Sequence, residues 1–374
     1  MIKVLHVLYS MNRGGIETFI MNVFRNIDRT KVSFDFLLGT EDECDYNKEI
    51  LALGGNIHYI PDCRNGLFKN IKMLNRFYKE HPEYKIIHLH ASALLNIVPL
   101  VVAKKHNIPV RIIHSHSTSV CGNPLRNLLH IFNKLWLTDY ATHYLACSKL
   151  AGEWMFFSKY KKTPYQIINN GIDIDNFKFD PDKRNELRKH LCINDKFVVG
   201  HVGSFSKAKN HSFLLDIFSN IKEKSDDAIL LLVGDGNLRK NIEDKIRKLG
   251  LSDSVILTGK RTDIAELMCA MDVFVFPSLH EGLPVTLVEA QASNLIIFAS
   301  DAITDEIYLT ANIKMLPLTL SSEKWAKKII AAKNNLFQRH LQNNVLDKRY
   351  DIFSVINIIK DFYIKSLKEF SCGL

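Results

Sequence analysis

The segment "HEGLPVTLVEA", His280 to Ala290, sets two glutamates around a Gly-Leu-Pro turn and an apolar run. Two carboxylates in close contact would be the acid and nucleophile of a retaining glycosidase. Helix geometry argues against that use. Pro284 suits the first position of a helix over 284–293, because the proline nitrogen has no N–H to leave unsatisfied there. At about 1.5 Å per residue, the rise from Pro284 to Glu289 alone is roughly 7 to 8 Å. Glu281 and Glu289 therefore read as two holders of a ligand. Between them the first amides of the helix, near Leu283, Val285 and Thr286, are open to a diphosphate. Each acid also has a plainer reading. Glu289 can be a solvated helix residue, and Glu281 an acid that complements the helix dipole by about 0.3 to 1 kcal/mol.

Three glycine-rich turns follow apolar runs: "NRGGIET" with Gly14 and Gly15, "GSFSKAKNH" with Lys209, and "GDGNLR". The first two place backbone amides at helix N-termini, a setting suited to phosphate. None is a Walker loop, and Arg239 stands where a dinucleotide fingerprint needs its third glycine. Histidines alternate at 88/90 and 114/116, so each pair faces one way on a strand. That spacing raises a metal site, but no carboxylate or cysteine lies at a fitting distance along the chain, and no metal is expected.

Strands and helices must position these residues. Short apolar runs at 2–9, 32–38, 56–60, 85–90, 110–116 and 142–148 alternate with segments of helical spacing, which implies a parallel sheet. The pattern restarts at 197–203, 228–234, 254–259, 272–278 and 295–300, with helices over 210–224 and 237–249. Between the two series an Asn-Asn-Gly turn and an Asp-Pro place a linker near 170–195. The tail, apolar at 352, 353, 355, 356, 358, 359, 362 and 363, carries a helical stripe too wide to leave in water. The expected domains are 1–170, 171–350 and a terminal helix over 351–374 that packs back toward the first half. Two doubly wound α/β halves facing each other make a cleft outside the carboxyl ends of their strands.

The bulk numbers agree with two such halves. A chain of 374 residues exceeds what one core usually supports. Its formal charge of +9 favours anionic partners without block-like basic tracts; groups such as "KYKK" (159–162) and "EKWAKK" (323–328) read as solvated helix faces. Seven scattered cysteines without a CxxC pair exclude a disulfide framework or zinc knuckle and suit a reducing cytoplasm. The N-terminus reads as a buried first strand, not a signal peptide, and no run of about 18 apolar residues spans a bilayer. Arg126, Lys134, Trp136, Trp154 and Phe157 would suit a helix lying on an anionic membrane.

Together, "IINNGID", "VGSFSKAKNHSFLLDIF", "LLVGDG", "VILTGKRTDIAELMCAMDVFVFPS" and "EGLP...VEAQA" resemble the retaining nucleotide-sugar glycosyltransferases of family four, especially capsular and exopolysaccharide members. In the first half the resemblance rests on "GGIE", "HSHST" and "ACS". It implies the GT-B fold of two Rossmann-like domains. It also implies a metal-independent transfer of sugar from a nucleotide diphosphate, UDP by preference, to a saccharide or lipid-linked acceptor. By the same resemblance Glu289 holds the ribose. Glu281, with Gly282, Leu283, Pro284 and Val285, reads the donor sugar and diphosphate. Lys209 neutralises the diphosphate, Gly14 and Gly15 admit the donor, and His116 (or His114) lies near the sugar. Where the family commonly has an arginine this chain has Ser204, which offers neither the charge nor the fork of a guanidinium; Arg261 or Arg13 is a substitute. Two further readings stay open, a UDP-sugar 2-epimerase on the same architecture and a non-catalytic assembly partner that has lost donor binding. No nucleic-acid partner is expected.

Overall fold

A computed structural model describes residues 1–120, 124–157, 163–333, 339 and 347–371. The basic group at 159–162 lies outside them, as do Cys121 and Cys372. The chain divides into two units, Met1–Gly171 with Ile352–Leu374, and Ile172–Asp351.

The first unit runs β1 (Ile2–Leu8), α1 (Gly15–Asn26), β2 (Val32–Leu38), α2 (Asn47–Ala52), β3 (Ile57–Tyr59), α3 (Leu67–Glu80), β4 (Ile86–Ala91), α4 (Val98–Lys105), β5 (Val110–Ser115), α5 (Pro124–Tyr140), β6 (His143–Ala146), α6 (Lys149–Phe156) and β7 (Gln166–Ile167). The second unit runs α7 (Pro181–His190), β8 (Phe197–Val202), α8 (His211–Lys222), β9 (Ala228–Val233), α9 (Arg239–Lys248), β10 (Val255–Leu257), α10 (Ile264–Ala270), β11 (Val273–Phe276), α11 (Val285–Ala292), β12 (Ile296–Ser300), β13 (Ile313–Leu316) and α12 (Ser322–Ala332). The terminal helix α13 (Ile352–Ser371) belongs to the first unit.

Among the described residues every named strand pairing is parallel, in the orders β3-β2-β1-β4-β5-β6-β7 and β10-β9-β8-β11-β12-β13. Both sheets reverse direction of growth beside their first strand, between β1 and β4 and between β8 and β11. Crevices at the carboxyl ends of such strands are where open α/β sheets take ligands. The strands are nearly continuous hydrophobic runs because helices cover both faces.

In the first unit Ile352, Val355, Ile356, Ile359 and Tyr363 of α13 share one core with Val4, Phe34 and Ile86. Gly171 packs closely on this helix, since a Cβ there would lie 3.0 Å from Ile352 Cα. The second core gathers Phe197, Leu214, Phe218, Leu230, Val275 and Trp325.

Two expectations change. The stretch read as a linker leading into a polar helix is not free of the domain: that helix, α7, is bonded firmly into the second unit, where Arg184 and Arg188 both donate to Asp272, and Arg188 Nε also donates to the Ala270 carbonyl at 2.8 Å. A polar helix looks solvated in sequence, yet here its cations neutralise a buried acid. On α5 the membrane-facing residues also differ from those expected. Lys134 donates to the Trp154 carbonyl at 2.5 Å, Trp154 stacks on buried His130, and Phe157 packs on Tyr165. The outward face is instead apolar: Leu125 (70% exposed), Leu128, Phe132 (59%), Leu135 and Trp136. Only His130 and Leu137 of this helix are buried among the described residues.

Candidate active site

In the second unit the loops after β8 and β11, the pair at the sheet's reversal, are tied together. Leu279 N–H donates to the Ala208 carbonyl at 2.8 Å and Asn210 Nδ2 to the Pro277 carbonyl at 3.2 Å. This brings Lys209 Nζ to 2.7 Å from Glu281 Oε1, with both side chains only 15–16% exposed. The ammonium also sits 4.6 Å above the Phe276 ring. An ion pair in this setting has given up much of its hydration, so an incoming anion meets a cation already desolvated and aimed. The tight loop packing needs glycine at 234, where φ is +137° and a Cβ would lie 2.1 Å from the Gly203 carbonyl oxygen.

Helix α11 begins at Val285, one residue later than expected. Pro284 is its N-cap in extended conformation (φ −74°, ψ 101°), so the proline steers the chain into the helix from outside. Gly282, Leu283 and Pro284 are buried, and the first-turn amides follow directly from Glu281. Glu289 lies further along, half-buried, with no side-chain partner among the described residues. Burial pushes its carboxyl up to about 7. This is not the solvated helix glutamate that the plainer reading assumed. Ser204 is exposed, and its hydroxyl bonds Ser206 Oγ at 3.3 Å. Arg261 is exposed and forks onto Asp263 through two hydrogen bonds.

In the first unit Gly14 caps α1 and Gly15 opens it. A Cβ on Gly14 would fall 2.5 Å from Glu17 Oε2, whereas one on Gly15 would meet nothing within 4 Å. Gly14 thus makes room for the Glu17 carboxylate, which burial raises to about 7. Behind this turn five histidines share one face of β1, β4 and β5: His6, His88, His90, His114 and, just past the strand, His116. Neighbouring rings lie 4.1 to 5.5 Å apart. Phe19 of α1 packs on His114 and His116, and Tyr363 of α13 bonds His88 Nδ1 at 2.7 Å. Burial holds His6 and His116 down to about 3, and His88, His90 and His114 well below the usual range, with repulsion from neighbouring imidazoles adding to it. All five are neutral at ordinary pH. The sets His6/His88/His90 and His90/His114/His116 each bring ligand nitrogens within 4.8 Å, closer than the sequence pairs alone implied.

A model of the group 1 glycosyl transferases matches residues 182–343, and one of glycosyltransferase family 4 matches residues 13–176. EpsF of Bacillus subtilis strain 168, named as a glycosyltransferase, is 35% identical over 369 residues, covering 95% of this chain and 96% of its own. The chain belongs to glycosyltransferase family 4. The capsular polysaccharide biosynthesis glycosyltransferase CapH of Staphylococcus aureus is 25% identical, across 90% of this chain and 93% of its own. A UDP-Gal:alpha-D-GlcNAc-diphosphoundecaprenol alpha-1,3-galactosyltransferase of Escherichia coli is 25% identical, with 97% of each chain covered. Among solved structures, Anabaena HepE in complex with UDP-glucose superposes with a TM-score of 0.81 at 20% identity, over 99% of this chain and 100% of that one. WaaG, a glycosyltransferase involved in lipopolysaccharide biosynthesis, gives 0.70 at 17% identity, over 96% and 99%. These likenesses establish the GT-B fold for this glycosyltransferase.

The candidate residues of this family 4 enzyme thus gather at the two sheet reversals. Lys209, Glu281 to Val285 and Glu289 cluster in the second unit; Gly14, Gly15 and His116 lie in the first. Sequence reading missed His6 as a member of the histidine face, and Glu17 as a desolvated acid beside Gly14. A histidine inside the first buried strand, and an acid two residues after the paired glycines, were the available signals.

Proposed function

We propose that this glycosyltransferase moves a sugar, with retention, from a UDP-sugar to a lipid-linked saccharide during surface polysaccharide synthesis. The observation that carries the reading is the desolvated Lys209–Glu281 pair beside the N-terminus of α11, with Glu289, which has no side-chain partner among the described residues, further along that helix. In this reading Lys209 and the α11 amides take the negative charge that grows on the departing diphosphate, without a metal. Glu289 accepts hydrogen bonds from the ribose hydroxyls. Glu281, released from Lys209 by the diphosphate, turns to the sugar, and His116 also meets it. The anomeric carbon–phosphate oxygen bond breaks as the acceptor oxygen bonds that carbon on the same face, and the acceptor proton passes to the leaving phosphate. The protein orients and stabilises.

UDP in the HepE complex and the diphosphoundecaprenol acceptor in the name of the E. coli relative support this choice of donor and acceptor. The outward face of α5 supports a membrane-borne acceptor. At about 100° per residue, Leu125, Leu128, Leu129, Ile131, Phe132, Leu135 and Trp136 fill an arc of roughly 160° opposite the buried side. A water-exposed stripe of that width fits the interface of a bilayer.

A UDP-release assay over UDP-, GDP- and ADP-sugars, with and without undecaprenyl-diphosphate saccharides, tests the function. Turnover of a UDP-sugar that needs the acceptor and survives EDTA is the expected result. A donor altered without acceptor points to an epimerase, and no UDP binding by the folded chain points to an assembly partner; either outcome sinks the proposal. Flotation with anionic vesicles tests the α5 surface, and Phe132→Asp with Leu128→Asp should abolish it.

A further inference from the structure

Helix α5 has its polar and apolar sides exchanged. The outward stripe is apolar, whereas at about 100° per residue His130, Asn133, Lys134 and Leu137 share the inward side, and three of those four are polar. An ordinary surface helix shows the reverse pattern. Apolar side chains alone would attach the helix to the sheet. What the polar ones add is direction, because satisfied hydrogen bonds specify one position where apolar contacts can slide.

Two of these side chains end on one residue. Leu94 N–H donates to His130 Nδ1 at 3.1 Å, and Asn133 Nδ2 donates to the Leu94 carbonyl at 2.7 Å. A backbone N–H can only donate, so His130 Nδ1 is bare and the ring carries its proton on Nε2. Burial, with the Lys134 charge adding to it, holds His130 down to about 4, and the imidazole keeps this acceptor at ordinary pH. The Trp154 ring backs it at 4.4 Å, tilted by only 13°.

Leu94 belongs to the loop over 92–97 that leaves β4, one of the two strands at the reversal of the first sheet. At the start of this loop the Ala91 carbonyl accepts His116 N–H at 3.1 Å. At its end Asn96 donates to Asp62 Oδ2 at 3.3 Å and accepts from Val98 N–H at 3.1 Å. Ser92 between these anchors is exposed. The loop is thus bonded to His116 at one end and, through Leu94, to the helix whose outer face is apolar.

We propose that His130 and Asn133 are positioning residues for the acceptor: they set the 92–97 loop, beside His116, against the helix that lies on the bilayer, so the saccharide is received at a fixed place relative to its lipid. The proposal rests on the membrane-borne acceptor given above. Its test is steady-state kinetics of the full-length protein with a saturating UDP-sugar and one saccharide diphosphate in two forms, on undecaprenol in anionic vesicles and on a short water-soluble prenyl chain. Asn133→Leu and His130→Phe each remove one bond to Leu94 with little change in size. Each should raise KM for both acceptors about 10-fold, with UDP affinity and vesicle flotation unchanged. His130→Asn, whose amide oxygen falls near the Nδ1 position, should restore most of the acceptor affinity. Phe132→Asp with Leu128→Asp should raise KM for the vesicle acceptor alone. Wild-type KM values in Asn133→Leu and His130→Phe overturn the proposal. So does an equal loss of UDP affinity, the mark of general loosening, or a folded His130→Asn variant as poor as His130→Phe. These results leave the membrane-borne acceptor standing. An unaltered protein that uses the short-chain acceptor but neither floats nor takes the vesicle one overturns that reading instead, and the tie between loop and bilayer with it, however the loop variants behave.

Discussion

The two halves share a scaffold and differ in electrical character at the point where each sheet reverses. In the second unit that point carries a desolvated ammonium–carboxylate pair, a helix N-terminus and a second, half-buried acid, Glu289. In the first it is lined with neutral imidazoles, one of them bonded to a phenol. A charged set answers to a group that changes charge, as a leaving diphosphate does. A neutral, direction-specific set answers to hydroxyls, whose position matters and whose charge does not change. The same architecture can therefore divide one reaction into the part that needs field and the part that needs orientation.

The contrast can be broken most severely at Lys209. Lys209→Ala removes the cation and its ion pair with Glu281, so UDP release should fall about 10²- to 10³-fold. His116→Ala should cost roughly 10- to 100-fold in turnover while UDP titration stays at the wild-type value, since no charge contact is lost. Equal losses in UDP affinity for both variants would erase the distinction between the halves.

Glu289→Gln should weaken UDP binding about 10-fold by calorimetry, the loss of one charged acceptor. The sign of its pH dependence follows from burial: a carboxyl raised to about 7 is ionised above that pH and protonated below. Wild-type affinity should thus be higher at pH 8 than at pH 6 by more than in Glu289→Gln, and identical profiles would remove Glu289 from the donor site. The smallest effect belongs to Ser204→Arg. A guanidinium at this exposed position near Lys209 should tighten UDP a few-fold, and more at low salt.

Much of the fold could be read from the chain because parallel strands buried on both faces are short continuous apolar runs. β2 at 32–38 coincides with its run, and β8, β9 and β12 differ by a residue at one end. β13 escaped because Lys314 interrupts "IKML", and β7 because two exposed residues leave no pattern. In the site, Glu281 and Glu289 were legible from the turn and helix between them. The Lys209–Glu281 contact was not, since it depends on two loops 72 positions apart closing on each other through Leu279 and Asn210. The histidine face was half visible: alternation within a strand placed 88 with 90 and 114 with 116, but only strand order brings β1 beside β4 and adds His6.

The place of α13 in the chain has a consequence for biosynthesis. The first unit's core stays incomplete until Ile352–Ser371 has been made, after the whole of the second unit. At about 5 to 20 residues per second, the ~200 intervening residues take roughly 10 to 40 s. During that interval the face awaiting Val355, Ile359 and Tyr363 is apolar and uncovered on the nascent chain. A stop codon that removes only the last helix would therefore harm the half made first and spare the half made second.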